Sequence, residues 1–294
     1  MRSTAAAGWD SAMQSQARVA ALSELRVYGV DFSSAPSRKK PITIAVGTLV
    51  GDQYCMDQVV AAPDFGAFDA FLMHAGPWVA GFDLPFSMPR ALIEHYGWPT
   101  TWPEFIQWYG QQDRAVLRGC FKAFCDARPA GQKYVYRQTD RPAGSSPAMR
   151  WTNPPVAWMA HAGAPRLLRA GLTLPGLCVG ADPEAAQRIG LEAYPGFTAR
   201  KVSTRSYKSD EVAKQTEERR HVREQLLGAL IAGRAGLSVR LSASHPWRLA
   251  MVADGSGDLI DAAICALQAA HAVRQPRFGF PDRVDPLEGW IASV

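Results

Sequence analysis

Two apolar runs in this sequence end on an aspartate: Asp31 closes Val27-Tyr28-Gly29-Val30, and Asp83 closes Val79-Ala80-Gly81-Phe82. A carboxylate at the tip of a buried strand is costly unless it finds hydrogen bonds, a cation or solvent. Either aspartate alone reads as a turn cap, but two strands ending alike point to a shared carboxylate site. A third acidic element is Asp258-Leu259-Ile260-Asp261-Ala262-Ala263. Its three-residue spacing puts Asp258 and Asp261 on one helical face. Ile260, Ile264 and Leu267 supply an apolar stripe for docking on a sheet, and Ala262 and Ala263 allow a close approach. Asp258 is expected to cap the helix start and Asp261 to face a metal. Glu192, in the short apolar run Ile189-Gly190-Leu191-Glu192, adds another carboxylate. So many acidic groups at one end of a sheet cannot all stay ionised without cations. All-oxygen ligation suits Mg²⁺ or Mn²⁺, and two such ions about 3.5–4 Å apart clamp the attacking and leaving oxygens of a phosphodiester.

The elements that must hold these residues follow from periodicity. Residues 27–34, 42–50 and 53–62 read as three successive strands, with Gly51-Asp52 as a tight turn, and therefore as an antiparallel meander. A helix opened by Asp64 covers 64–76, and a buried strand covers 78–86. Residues 101–127 have helical spacing, whereas 128–165 are rich in Pro, Gly, Ala and Ser and read as loops. A short strand running into a turn over 188–197, a long charged helix over 210–233 and a helix over 257–273 complete the pattern. The reading is one domain over 26–275, interrupted by a large insertion at 87–185. An extension over 1–25 precedes it and a tail over 276–294 follows.

Composition bounds the class. The chain has 294 residues, 47% hydrophobic and 20% charged, which excludes a disordered, collagen-like or coiled-coil chain. No apolar window is long enough to span a membrane, and 1–25 lack the pattern of a secretory signal. The five cysteines form no C-x-x-C pair, which fits reduced thiols in a cytoplasmic protein and offers no zinc site. The net charge of +5 permits a phosphate-bearing partner without demanding one.

Taken together, GVDFSSAP (29–36), GFDLPFSMPR (81–90), RWTNPPVAWM (150–159), EAYPGF (192–197) followed by SYKSD (206–210), and DLIDAAICAL (258–267) resemble an uncharacterised bacterial domain family. That family is catalogued as predicted nucleases with a ribonuclease H-like fold, and the resemblance runs from about Val27 to about Ala272. It implies an α/β fold with a mixed five-stranded sheet, three antiparallel strands then parallel ones, flanked by helices. A mostly helical insertion would separate strands four and five. The resemblance also implies Asp31 on the central first strand, Asp83 on its neighbour, and Asp258 or Asp261 from the late helix, as in Holliday-junction resolvases. Ribonucleases H often place a glutamate on the first helix, where this chain has only Asp64 and Asp69. The expected catalytic residues are therefore Asp31, Asp83, Glu192 and Asp261, with Asp31, Asp83, Asp258 and Asp261 as ligands to Mg²⁺ or Mn²⁺.

Residues 200–223 carry eight Lys/Arg against four acidic residues, and with the turn after Asp31 they are the expected nucleic-acid contacts. The residues concerned are Arg38, Lys39, Lys40, Arg200, Lys201 and Lys208. The alternative for 200–223 is a solvated helix face with Glu–Arg pairs. The aromatic segment 96–109 reads as insertion packing rather than base stacking. Two rival functions stand beside the nuclease. One is a phosphotransferase or ATPase of the sugar-kinase and actin-like type, whose first phosphate loop Asp31-Phe32-Ser33-Ser34 resembles in position. The other is a non-catalytic binding module.

Overall fold

The computed structural model describes residues 24–178 and 187–294, so the expected N-terminal extension lies outside the described residues up to position 23. The β-branched and aromatic runs form β1 (Leu25–Asp31), β2 (Ile42–Val50), β3 (Gln53–Ala62), β4 (Trp78–Asp83) and β5 (Arg188–Glu192). A sixth strand, β6 (Arg240–Ala243), corrects the expected five. It has four residues, only Leu241 of them buried, and so carries almost no hydrophobic alternation to betray it. The sheet order is β5-β4-β1-β2-β3-β6. The first three strands form the expected antiparallel meander, β4 and β5 run parallel to β1, and β6 runs parallel to β3.

Helices cover both faces. After β3 comes α1 (Phe65–Leu72), whose N-terminus Asp64 caps by accepting from the Ala67 amide at 2.9 Å. Between β4 and β5 the chain forms α2 (Arg90–His95), α3 (Trp102–Gln111), α4 (Arg114–Asp126), the short α5 (Asp140–Ala143) and α6 (Val156–Arg169). The helix read over 101–127 is thus two helices. Asp113 starts the second by accepting from the amides of Ala115 and Val116. The stretch read as loop over 128–165 contains most of α6. The remaining helices are α7 (Pro195–Val202), α8 (Glu217–Ile231), α9 (His245–Ala253) and α10 (Asp258–Val273). Charged residues 210–216 stay outside α8 apart from a single 3₁₀ turn at Val212–Lys214.

Strand alternation sorts the core into two layers. Tyr28 and Val30 of β1 and Phe82 of β4 join α1 and the insertion helices in an aromatic-rich layer. Val27 and Val79 face the opposite layer, with α8 and α10. Thirteen of the sixteen residues of α10 are buried, so this helix is covered on every side. Its seat is made by glycine. A Cβ on Gly29 would lie 1.9 Å from the Ala262 carbonyl oxygen, and one on Gly81 would lie 2.2 Å from that of Cys265. Gly29 and Gly81 are register neighbours on β1 and β4, so the helix backbone rests directly on the sheet there.

Residues 276–294 are built into the body instead of trailing from it. The Ala292 amide donates to the Glu192 carbonyl at 2.8 Å, and Ile291 bridges the end of β5. Phe278, Phe280 and Leu287 are buried.

Candidate functional site

Asp31 and Asp83 are the last residues of β1 and β4, and the parallel register sets them directly beside each other. Adjacent strands lie about 4.8 Å apart, which fixes the scale of their separation. Each stands two residues beyond a seat glycine, Gly29 or Gly81, so both side chains point to the α10 face. Because the seat is so close, the first turn of α10 delivers Asp261 to the same place. Asp261 is fully buried.

Two donors meet Asp261. The Tyr207 hydroxyl donates to its Oδ1 and the Lys208 ammonium to its Oδ2. The segment bearing them is clamped from behind. Arg219 of α8 donates to the Lys208 carbonyl at 2.8 Å and Arg223 to the Tyr207 carbonyl at 2.7 Å. The Ser209 amide donates to the Gly255 carbonyl at 3.1 Å. A Cβ on Gly257 would lie 2.7 Å from the Lys208 Cβ, so this glycine makes room for the lysine stem. The Lys208 side chain keeps 41% exposure while Asp261 has none, so a partly exposed lysine pairs with a buried carboxylate.

Electrostatics ties the group together. Burial pushes the Asp31 carboxyl well above the usual carboxylate range, and Asp261, Asp83 and Asp258 push it further against the opposing pull of Lys208. Burial likewise pushes Asp83 up to about 7, with Lys208 opposing and Asp261 and Glu192 reinforcing. For Lys208, burial acts downward, but Asp261, Tyr207, Asp31 and Asp83 outweigh it and hold the ammonium well above its ordinary value. Among the described residues no hydrogen bond reaches the carboxyl of Asp31 or Asp83.

Asp258 sits at the rim. Burial raises its carboxyl, Asp254 adds to the rise, and Lys40 and Lys208 oppose it. Its expected capping role belongs to Asp254, which accepts from the amides of Leu259 and Ser256 at 2.9 and 3.0 Å. Gly257 occupies the cap position at φ 80°, turning the loop so that Asp254 reaches back over the helix end.

Glu192 is a correction. The register pairs it with Phe82, so it points to the face opposite Asp31 and Asp83. There Arg137 donates to its two oxygens at 2.5 and 2.8 Å and also holds Asp140, all three side chains being almost completely buried. The Phe86 amide donates to Glu192 at 2.9 Å. Burial raises the Glu192 carboxyl while Arg137 opposes the rise. This network ties the insertion to the sheet and leaves Glu192 no open lone-pair face for catalysis.

The basic residues divide in the same way. Arg38 and Lys39 are exposed in the turn after β1 and, among the described residues, form no ion pair. Lys40 pairs with Asp210. Arg200 lies 5.2 Å from the Tyr194 ring centre and donates to the Ala143 carbonyl, and Lys201 lies 4.1 Å over Phe197. Lys208 belongs to the carboxylate cluster. Arg114, absent from the expected set, donates to the Ser34 carbonyl at 3.3 Å, three residues beyond Asp31. Phe32, at the position where a phosphate loop needs glycine, is a core side chain packed on Phe65 and Phe68.

The donor set can be tested against a divalent ion. Among the described residues, no three His, Cys, Asp or Glu side chains converge to enclose a metal, so the expected four-carboxylate cage is not formed. Asp261 is committed to Tyr207 and Lys208. Asp31 and Asp83 remain: paired, unbonded and partly buried oxygen donors. Two carboxylates fit Mg²⁺ or Mn²⁺, which keep several waters and seldom need a complete protein cage. Among the described residues, no helix is long and apolar enough to cross a membrane. A scan of protein-family models found no matching family, and searches of curated proteins and of solved structures found no match.

Proposed function

We propose that this protein is a metal-dependent phosphodiesterase acting on nucleic acid, with Asp31 and Asp83 as its central carboxylates. The observation that carries the reading is the register of β1 and β4. It sets two unbonded aspartates side by side at the carboxyl ends of parallel strands, the end where open α/β sheets bind ligands. The order β3-β2-β1-β4-β5 within the sheet supports a ribonuclease H-like arrangement, with β6 as an addition at the edge.

In this reading Asp31 and Asp83 would hold Mg²⁺ or Mn²⁺, which would supply Lewis-acid polarisation of the phosphate and activation of water. Water oxygen bonds to phosphorus, the ester P–O bond breaks, and the proton lost by water ends on the departing oxygen. Asp31 and Asp83 fix by position where the ion, and the phosphate beside it, would sit at the strand ends. Tyr207 keeps Asp261 fixed, and the glycine seat keeps α10 at the distance that closes the site. Arg38 and Lys39, on the turn that follows Asp31, serve the sequence-independent hold on the phosphate backbone. The buried Phe32 weighs against the phosphotransferase alternative, because a bulky core residue prevents the close backbone approach that a phosphate loop needs.

The test is cleavage of labelled single strands, duplexes, RNA–DNA hybrids and four-way junctions in Mn²⁺ and in EDTA. Wild type is expected to cut at least one of them only with metal, and Asp31→Asn and Asp83→Asn to lose that activity while remaining folded. Cleavage that persists in both variants overturns the assignment.

A further inference from the structure

We propose that Lys208 is a catalytic residue of this site: its ammonium contacts the scissile phosphate, so that the site takes one divalent ion where a two-metal nuclease takes two. The inference rests on the metal-dependent reading above and names how that site is charged.

Three observations carry it. Lys208 Nζ is bonded to Asp261, the carboxylate that the late helix delivers opposite Asp31 and Asp83, and so occupies the ground a second cation would need. Only one of the three ammonium donors is used by Asp261. The other two meet no acceptor among the described residues, and the side chain keeps 41% exposure. Finally, the lysine is placed by construction. Arg219 and Arg223 grip the carbonyls of residues 208 and 207, and Gly257 clears space for its stem. A surface lysine that merely brushed an aspartate would need none of these supports. A fixed ammonium aimed at the place where charge builds up on a phosphate costs no reorganisation during reaction, and such groups contribute strongly in a partly dry site.

The experiment is Mn²⁺ titration by calorimetry on the full chain, together with cleavage of the substrate found above. Wild type is expected to bind one Mn²⁺. Lys208→Gln removes the competing charge and frees Asp261, so it should bind a second ion or hold the first about tenfold more tightly, while cleavage falls about 100-fold. Lys208→Arg keeps the charge and should retain single-ion binding. If Lys208→Gln proves unstable because Asp261 is left buried without its partner, the pair Lys208→Met with Asp261→Asn keeps the site neutral there. That double variant should bind one Mn²⁺ with wild-type affinity yet cleave as poorly as Lys208→Gln. Two ions in wild type, or wild-type cleavage by the double variant, overturn the role of Lys208 while leaving the metal-dependent reading intact. A wild-type chain that binds no Mn²⁺ overturns that reading and this inference with it.

Discussion

Replacing Gly29 by alanine tests whether the site depends on direct contact between helix and sheet. The added Cβ would meet the Ala262 carbonyl oxygen at 1.9 Å and the Ala266 nitrogen at 2.3 Å, both backbone atoms of α10. Carbon and carbonyl oxygen pack no closer than about 3.3 Å, so α10 must retreat by roughly 1.4 Å. No flexible side chain can absorb that movement, because the helix is buried almost throughout. Overpacking a core costs about 1–3 kcal/mol, and a clash with a central helix backbone belongs at or beyond the upper figure. In a chain of this size a loss of about 3 kcal/mol lowers Tm by roughly 6–12 °C. Gly228→Ala is the matched control. A Cβ there meets no atom within 4 Å, and the position is an exposed one inside α8. It should gain about 1 kcal/mol from helix propensity. Urea unfolding of both variants in EDTA measures the two values. A Gly29→Ala variant within about 0.5 kcal/mol of wild type would refute the reasoning, since such a result means the helix can yield without cost.

Stability in EDTA should fall as pH rises through the window between the ordinary carboxylate range and about 7, because folded Asp83 retains a proton that the unfolded chain has lost. Asp83→Asn should therefore match wild type near pH 3 and exceed it at pH 8 by up to about 4 kcal/mol, read from denaturant midpoints at the two pH values. Arg137→Met leaves Asp140 and Glu192 buried without their partner, and should cost about 3–5 kcal/mol by the same assay. Mn²⁺ affinity should not change in Glu192→Gln, as this residue faces away from the site; a tenfold loss would return it to the ligand set. Arg38→Ala with Lys39→Ala should weaken oligonucleotide binding and flatten its dependence on salt concentration by about two in log–log slope, whereas Arg200→Ala should leave that slope alone.

The sheet is legible because its strands announce themselves as apolar or alternating runs closed by turn residues: β2 and β3 match the reading residue for residue, while β1 and β4 stop three residues short of it, each on its aspartate. Asp31 and Asp83 were legible for the same reason, being charges at the ends of apolar runs. Face was harder to read than position. Glu192 looked equivalent to Asp83 because both end a short strand, but side-chain direction depends on register. The one-residue offset that pairs Glu192 with Phe82 is set by tertiary packing. Lys208 is expected among the phosphate contacts because it lies in a basic stretch; that it also meets the buried Asp261 leaves no mark in a charge count. Gly29-Val30-Asp31 and Gly81-Phe82-Asp83 share a glycine two residues before the aspartate, the spacing that puts a helix seat and a carboxylate on one face. Ala262, Cys265 and Ala266 of the late helix supply the matching half of that contact.

The glycine seat also sets an order of events during synthesis. Strand β1 ends at residue 31 and β4 at residue 83, but the helix that rests on both begins at residue 258. A chain emerging from the ribosome therefore carries its two aspartates long before the element that faces them. Contacts so distant in sequence form late and slowly, since the intervening chain must first be ordered. Until α10 docks, Gly29 and Gly81 leave a bare strip of sheet backbone, and neither Asp261 nor its lysine stands across from the strand ends. A nascent chain in that condition has the two strand-end aspartates without the Asp261–Lys208 pair that faces them, and the full cluster is assembled only when the helix is seated.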